Sequence, residues 1–453
     1  MKPMTVESIR AATRGLMVCG SREHEVTGIS TDTRSIAPGD LFVALSGERY
    51  DGHDFIRDAL AVGACGAVYS RDFPLYRQDA NHTFIKVSDT LTALGDIARA
   101  YRRSLQAAVV GITGSNGKTT TKEMVRHLLE EKLSTVASPA SFNNFVGVPL
   151  TIFSADASTA VIVIEMGTNR PGEIARLAQI AAPGMGVITN VGRSHLEGFG
   201  SKEGVARAKA ELLHELTDDG VAILNADDDE VIKMGRLAPR VVTFGVGEDA
   251  DVFAAGIART PSGFEFLLNG AARTELNVPG RQNIHNALAA IAVCRRLGVE
   301  LEYLAERLGS FRLPAMRLEE RQIRGALVIN DAYNANPESV SGAIEELLER
   351  KGKRKFLVFA DMLELGEHSP QLHRDVGCMA AGAGLDFCWV TGQEALHCVE
   401  GARESGMSEE FAAFFPTLES LADALRRTIC EGDIVLVKAS RGMCLERLFE
   451  LLK

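Results

Sequence analysis

VVGITGSNGKTTTKE, residues 109–123, runs from an apolar segment through three glycines into a stretch of helix-forming composition. A strand that turns through glycine into a helix aims backbone N–H groups and the helix N-terminus beyond the strand end, where they suit a phosphate. The spacing is unusual. A standard phosphate loop has Gly, four residues, then Gly-Lys-Ser/Thr, which would put a glycine at position 112, where Ile112 stands. The glycines are Gly111, Gly114 and Gly117 instead. Lys118 is placed to reach terminal phosphates, and the Thr119 hydroxyl to ligate Mg²⁺. The plainer reading is a glycine-rich turn with a chance Lys-Thr. It requires strand, three glycines, Gly-Lys-Thr-Thr and helix to coincide.

The chain around this loop has 453 residues, enough for three domains at about 150 residues each. At 46% apolar residues, each can bury its own core. Net charge is −11 and no Lys/Arg run is long enough to track a nucleic-acid backbone, which argues against a nucleic-acid partner. The eight cysteines are scattered without a C-x-x-C pair, so neither a zinc site nor a disulfide framework is expected. A reducing compartment, and hence the cytoplasm, follows. The start MKPMTVESIRAATRG is too polar for a signal peptide. No apolar run reaches the roughly 20 residues of a membrane span.

The expected class is α/β with three domains. Residues 1–84 form a small N-terminal α/β domain, with short apolar runs (DLFVAL, GAVYS, TFIKV), one helix (HDFIRDALAVG) and turns at APGD and SGERYDG. Residues 85–314 form a central P-loop ATPase domain. Its runs AAVVGIT, AVIVIEM, GVITNV, VAILNA and RVVTFG suit a mostly parallel sheet covered on both faces. DVFAAGI, GFEFLLN and RTELNV follow as shorter antiparallel strands, then the helix NIHNALAAIAVCRRLG. FRLPAMRLEE reads as a hinge, since Pro314 interrupts any helix. Residues 315–453 repeat the alternation in ALVINDAY, KFLVFAD, DFCWV and DIVLVKAS, a C-terminal Rossmann-like domain.

Other positions carry chemistry with a plainer alternative beside each. Glu165 ends the run AVIVIE, where a carboxylate faces the phosphate side of the sheet, or forms a strand-end salt bridge. His195 follows the next strand and reaches the same edge, although a lone loop histidine is often incidental. Guanine readers carry Asn-Lys-x-Asp; ILNADDDE has Asn225 and Asp228 but Ala226 in place of the lysine, which counts against GTP. Asp227–Asp229 read as a solvated turn. In SKEGVARAKAELLHEL the apolar stripe is Val205, Leu212, Leu213 and Leu216, so Lys209 faces the core and Arg207, Glu211 and Glu215 take the wet face. Lys209 is then either a snorkelling stem or a buried amine of depressed pKa, open to CO₂ addition as a metal-ligating carbamate.

Together, GITGSNGKTTTKE, IEMGTNRPGEI, TNVGRSHLEGFGS, EGVARAKAEL, PGRQNIHNALAA and VINDAYNANPES resemble, in order and spacing, the Mur ligase family of cell-wall peptide ligases. The resemblance spans the chain. GISTDTRSIAPGDLFVALSGERYDGHDFI and DMLELGEHSPQLH are similar to the members that add D-alanyl-D-alanine to UDP-N-acetylmuramoyl-tripeptide. It implies ATP, held by Gly114, Ser115, Asn116, Gly117, Lys118, Thr119 and Thr120, with Asn283 and Asn286 near adenine and Arg317 and Asp331 reaching over from the third domain. It implies Mg²⁺ held through Thr119, Glu165 and His195, and a carbamylated Lys209. Lys118, His195 and Lys209 become the catalytic set. Ser30, Thr31, Asp32 and Arg34 would bind the UDP-sugar; Asn143 and Asn144 would face the central cleft; Asn334 and Asn336 would meet the dipeptide. For Ser30–Arg34 the plain alternative is an Asx-type turn, for Asn283 and Asn286 a helix cap, and for Arg317 a surface pair with Glu319 or Glu320. Partners are small molecules only, and a monomer is expected. Ala360 departs from the family, whose members often carry Gly there; it fits only if its φ is not positive. The rival readings are a sister ligase adding a single amino acid or a folate-polyglutamate-type ligase, and, from another class, a nucleotide-switched binding module.

Overall fold

The computed structural model describes residues 1–47, 49–74 and 81–452; these contain three sheets of five or more strands and a two-stranded antiparallel pair, Met4–Thr5 with Glu25–Val26. Glu48, in the turn read at SGERYDG, lies outside the described residues. The first sheet has the order Leu16–Cys19, Thr83–Lys86, Gly66–Tyr69, Asp40–Val43, Gly28–Ser30, and is parallel except at its Leu16–Cys19 edge. Helix Thr90–Arg103, capped by Asp89, joins it to the rest. One core contains Leu41, Val68 and Ile85 of the first sheet, Leu94, Ile97 and Tyr101 of this helix, and Val109, Ile162 and Ile164 of the second sheet. The first two units therefore share a core. The Tyr101 hydroxyl adds a 2.7 Å hydrogen bond to the Ala155 carbonyl.

The second sheet has nine strands in the order Ala272–Leu276, Gly263–Leu268, Val252–Thr260, Arg240–Gly245, Val221–Asn225, Met185–Ile188, Ala108–Thr113, Val161–Glu165, Thr135–Ala137. Its continuous apolar strands send alternate residues to opposite faces. Val161 and Val163 enter one core, while Ile162 and Ile164 enter the other. The last three strands in sequence are antiparallel to one another, as their shorter mixed runs suggested. Helix Lys202–His214 buries Val205, Lys209, Leu212 and Leu213 and exposes Arg207. Glu211 departs from the expected wet face. Its carboxylate accepts Gly172 N at 2.7 Å and Ala175 N at 3.0 Å, capping helix Glu173–Ala181, whose N-cap Gly172 has no side chain to do so.

Residues 309–318 contain no strand or regular helix, and Met316 and Leu318 have positive φ, 59° and 50°. The expected hinge ends earlier than FRLPAMRLEE suggests, because Glu319–Ile323 forms an antiparallel edge strand on Ala326–Asp331. EERQI has no apolar run because an edge strand on the surface needs none. The third sheet is ordered Glu319–Ile323, Ala326–Asp331, Ile434–Lys438, Lys355–Phe359, Phe387–Val390, Ala412–Phe414, with cores on both faces. Ala360 is buried and is not among the residues of positive φ, so its methyl is accommodated. The carboxyl ends of parallel strands from the second and third sheets open onto one cleft. There Glu165, Asp331 and Lys438 each close an apolar strand.

Candidate active site

The cleft has a volume of about 780 Å³, and residues 115–120 form one wall. The glycine spacing has a steric cause. Gly114 has φ +150° and Gly117 φ +82°; a Cβ on Gly114 would stand 1.8 Å from Thr189 Oγ1, and one on Gly117 2.1 Å from Asn286 Oδ1. Both positions therefore exclude a side chain. Helix Lys118–Leu129 starts at Gly117 without a side-chain cap, so its first N–H groups are left for a ligand. Lys118 Nζ donates to the carbonyls of Gly114 at 2.6 Å and Ser115 at 3.4 Å. Burial lowers its pKa; Glu165 opposes that and Arg317 adds to it.

Thr119 and Glu165 meet at the cleft wall. The Thr119 hydroxyl donates to Glu165 Oε2 at 2.9 Å, and Glu165 Oε1 accepts Asn143 Nδ2 at 2.9 Å. Arg317 reaches across from beyond the hinge, its Nη2 2.9 Å from Thr119 Oγ1 and its guanidinium stacked 4.2 Å over the Tyr333 ring. It does not pair with Glu319 or Glu320, which engage Arg321 and Arg350. A hydroxyl, one carboxylate and phosphate oxygens suit Mg²⁺, which is commonly held by one or two carboxylates plus substrate phosphates. Among the described residues, no three His, Cys, Asp or Glu side chains cluster to hold a metal unaided.

His195 and Lys209 stand apart from that pair. His195 lines the cleft in a left-handed conformation, φ 54°, but its Nδ1 faces the Glu364 carboxylate of the third unit. Lys209 is 2% exposed, and its amine makes no hydrogen bond or ion pair among the described residues. Burial first, and then the charge of Lys118, push its amine well below the usual range. Both causes favour the neutral, nucleophilic amine over the ammonium, and carbamate formation needs the neutral form.

Asn283 and Asn286 line the cleft on helix Gln282–Arg296. Asn286 Nδ2 donates to Asn283 Oδ1 at 2.9 Å, and Asn283 Nδ2 to the Pro279 carbonyl at 2.7 Å. Asn144 Oδ1 accepts Gly147 N at 2.9 Å at the start of helix Gly147–Phe153. Asn336 caps helix Pro337–Glu349 and also exchanges two amide hydrogen bonds with Asn116, at 2.9 and 3.2 Å. Asn334 lines the cleft, and its carbonyl accepts Lys438 Nζ at 3.1 Å. Asp331 lies 2.5 Å from Lys438 Nζ and accepts Leu318 N at 3.1 Å. Sequence reasoning missed Lys438, although it closes the buried run IVLVK as Glu165 closes VIVIE. It also missed Glu364 and Tyr333, which carry no such mark. The supposed solvated turn at Asp227–Asp229 is exposed at both ends, but Asp228 accepts Val191 N at 2.8 Å and caps Asp229–Ile232.

Ser30, Thr31, Asp32 and Arg34 lie outside this cleft's lining, at the carboxyl end of strand Gly28–Ser30. They make a local turn: Asp32 caps Thr33–Ser35 and grips Arg34, which holds its carboxyl down to about 2.

Family models match three successive segments: "Mur ligase family, catalytic domain" over residues 25–102, "Mur ligase middle domain" over 112–294, and "Mur ligase, glutamate ligase domain" over 316–441. The UDP-N-acetylmuramoyl-tripeptide–D-alanyl-D-alanine ligase of Bacillus subtilis is 36% identical over 98% of this chain and 97% of its own. A crystal structure of MurF from Acinetobacter baumannii superposes with a TM-score of 0.90 at 33% identity, covering 100% of this chain and 99% of that one. Thermotoga maritima MurF ligase in complex with ADP gives a TM-score of 0.84 at 30% identity, covering 94% of this chain and 97% of that one.

Proposed function

The chain belongs to the Mur ligase family, and we propose that its cleft activates a peptide carboxylate as an acyl phosphate for capture by a dipeptide amine. The reaction is the ATP-dependent addition of D-alanyl-D-alanine to UDP-N-acetylmuramoyl-tripeptide, in peptidoglycan precursor synthesis. The observation that carries the acyl-phosphate reading is the uncapped helix start at Gly117, walled by left-handed glycines and closed by Arg317 from across the hinge.

A carboxylate is a poor acyl donor. ATP gives its γ-phosphoryl group to the terminal carboxylate of the tripeptide; the amine of D-alanyl-D-alanine attacks the acyl carbon, and phosphate leaves. Two anions meet in the first step, and the loop amides, Lys118 and Arg317 offset their repulsion and align them. Thr119 and Glu165, with His195 turned from Glu364, would hold Mg²⁺, which neutralises phosphate charge when bound. A carbamate on Lys209 would give that amine the charge of a carboxylate beside Lys118. Asn283 and Asn286 face the base, Asp331 the ribose, Asn143 and Asn144 the acyl donor, and Asn334 and Asn336 the dipeptide. Ser30, Thr31, Asp32 and Arg34 hold the UDP-sugar at a distance from the chemistry.

The units lie at residues 1–84, 85–314 and 315–453. The working unit is read as a monomer. No helix among the described residues is long and apolar enough to cross a membrane. The described cysteines are free thiols, which supports a cytoplasmic site of action. Phosphate release from ATP tests the reading: it should require both UDP-N-acetylmuramoyl-tripeptide and D-alanyl-D-alanine. Release that proceeds without the dipeptide would point to a nucleotide switch, and preference for single amino acids to a sister ligase.

A further inference from the structure

Four residues beyond Lys118, the same helix carries a second lysine that the chemistry above leaves unused. Lys122 is 0% exposed. Its Nζ donates to the carbonyls of Ser138 at 2.6 Å and Ala140 at 2.7 Å, and lies 3.0 Å from Glu123 Oε1 and 4.0 Å from Glu165 Oε2. A buried ammonium persists only when its protons are satisfied, and here they are. An apolar side chain would fill the same space without desolvating a charge, so the ammonium is explained by what it holds.

It holds a segment with little support of its own. Residues 138–144 form neither strand nor helix; Pro139 has no N–H to offer, and Ala140 sits in the left-handed region at φ 43°. Beyond this point Asn143 is clamped from three sides. Its N–H donates to the Ser141 carbonyl at 2.7 Å, its carbonyl accepts Gly167 N at 2.9 Å, and its Nδ2 meets Glu165 at 2.9 Å. A Cβ on Gly167 would stand 2.8 Å from the Asn143 amide, so the two segments are as close as glycine permits. Ser138 supports the same residue at its backbone, its Oγ accepting Glu165 N at 3.2 Å.

We propose that Lys122 is a positioning residue of the ligation. By tying the Ser138 and Ala140 carbonyls to the phosphate-loop helix, it fixes Asn143 against Glu165, so that the nucleotide wall and the acyl-donor floor of the cleft stay in one register. This rests on the ligase reading above.

The test is steady-state kinetics on the full chain with MgATP, UDP-N-acetylmuramoyl-tripeptide and D-alanyl-D-alanine. Lys122→Met keeps the volume and removes the charge. kcat should fall on the order of 10- to 100-fold, as a small misplacement of reacting groups does, while KM for ATP moves less than about threefold. In an Asn143→Ala background the same substitution should change kcat less than about twofold, because the tie it acts through is already gone. Equal losses in both backgrounds, or a rise in KM for ATP alone, overturn the proposal. If Lys122→Met does not fold, Lys122→Gln replaces it, whose shorter side chain keeps a donor but cannot reach both carbonyls. A kcat loss that vanishes with Asn143→Ala then supports the proposal, and an unchanged kcat overturns it. A wild-type chain that releases no phosphate with all three substrates would instead remove the ligase reading itself.

Discussion

The second and third units share an apolar core that includes Leu196, Phe199, Ile329 and Leu365, and they carry polar ties along two edges of different character. At the cleft edge the polar ties are Asn116 with Asn336, Arg317 with Thr119, Arg193 with Glu338 at 3.0 Å, and His195 with Glu364. Arg193, Glu338 and Glu364 are well exposed, and such pairs contribute about 0–1 kcal/mol each. On the edge away from the cleft a single carboxylate gathers four donors. Glu346, on helix Pro337–Glu349, is 3% exposed and accepts Arg259 Nη1 and Nη2 at 3.1 and 2.6 Å, Arg350 Nε at 2.7 Å and Gly280 N at 3.0 Å. Arg259 and Gly280 belong to the second unit, and Gly280 lies just ahead of the helix bearing Asn283 and Asn286. The contrast teaches where a swing of the third unit would begin. The exposed ties at the mouth, Arg193 with Glu338 and His195 with Glu364, would part cheaply, whereas Asn336 and Thr119 are buried; the buried, fully satisfied Glu346 carboxylate would serve as a pivot.

That contrast can be broken by substitution. The largest effect belongs to the cleft edge: Lys118→Ala should lower ligation, read as phosphate release with both substrates present, by about 10²–10³-fold, the usual loss when one electrostatic donor is removed. Its unfolding midpoint should stay near wild type. Lys209→Ala should lose on the order of 10–100-fold, and formate or acetate should restore part of the rate by standing in for the carbamate; unimpaired turnover would remove the carbamate. For the other edge, Glu346→Ala should cost about 1–3 kcal/mol in urea denaturation, since it leaves the buried Gly280 N–H unpaired while Arg259 and Arg350 keep Glu349 and Glu320. Arg193→Ala, by contrast, should cost under about 1 kcal/mol. Equal costs for these two would erase the distinction between the edges.

The smallest effect lies outside both edges and sharpens the comparison as a control. Arg34 lowers the Asp32 carboxyl from 3.8 to about 2. A carboxyl whose folded value is depressed contributes stability above its unfolded value, and loses it as pH falls through the folded one. Asp32→Asn should therefore lower Tm slightly at pH 7 and flatten the shallow decline between about pH 4 and pH 2, so that the two curves converge at low pH.

Much of this was legible beforehand because it was local. Continuous runs such as VIVIE gave the buried parallel strands, and helical spacing placed Lys209 in a core where the fold also puts it. The polar strand EERQI was not legible, since its place on a sheet edge is decided by Ala326–Asp331 and not by its own composition. Neither was the exchange between Asn116 and Asn336, which brings together side chains 220 positions apart. Glu211 looked like a wet residue because nothing in its own helix shows that another helix begins at a bare glycine beside it. Lys122 stood in plain view inside the motif, and its partners on a loop sixteen and eighteen residues away did not.

The amide exchange at Asn116 also has a chemical consequence. Gly117 follows it, and an asparagine before glycine is the place where a carboxamide most readily cyclises onto the next backbone nitrogen, sheds ammonia and reopens as aspartate. With the third unit in place, Asn336 occupies both ends of that carboxamide and opposes the rotation that cyclisation needs. An enzyme left open in storage loses this protection. Its ageing product would carry a negative charge where the phosphates must lie, so nucleotide kept in the buffer should lengthen its shelf life.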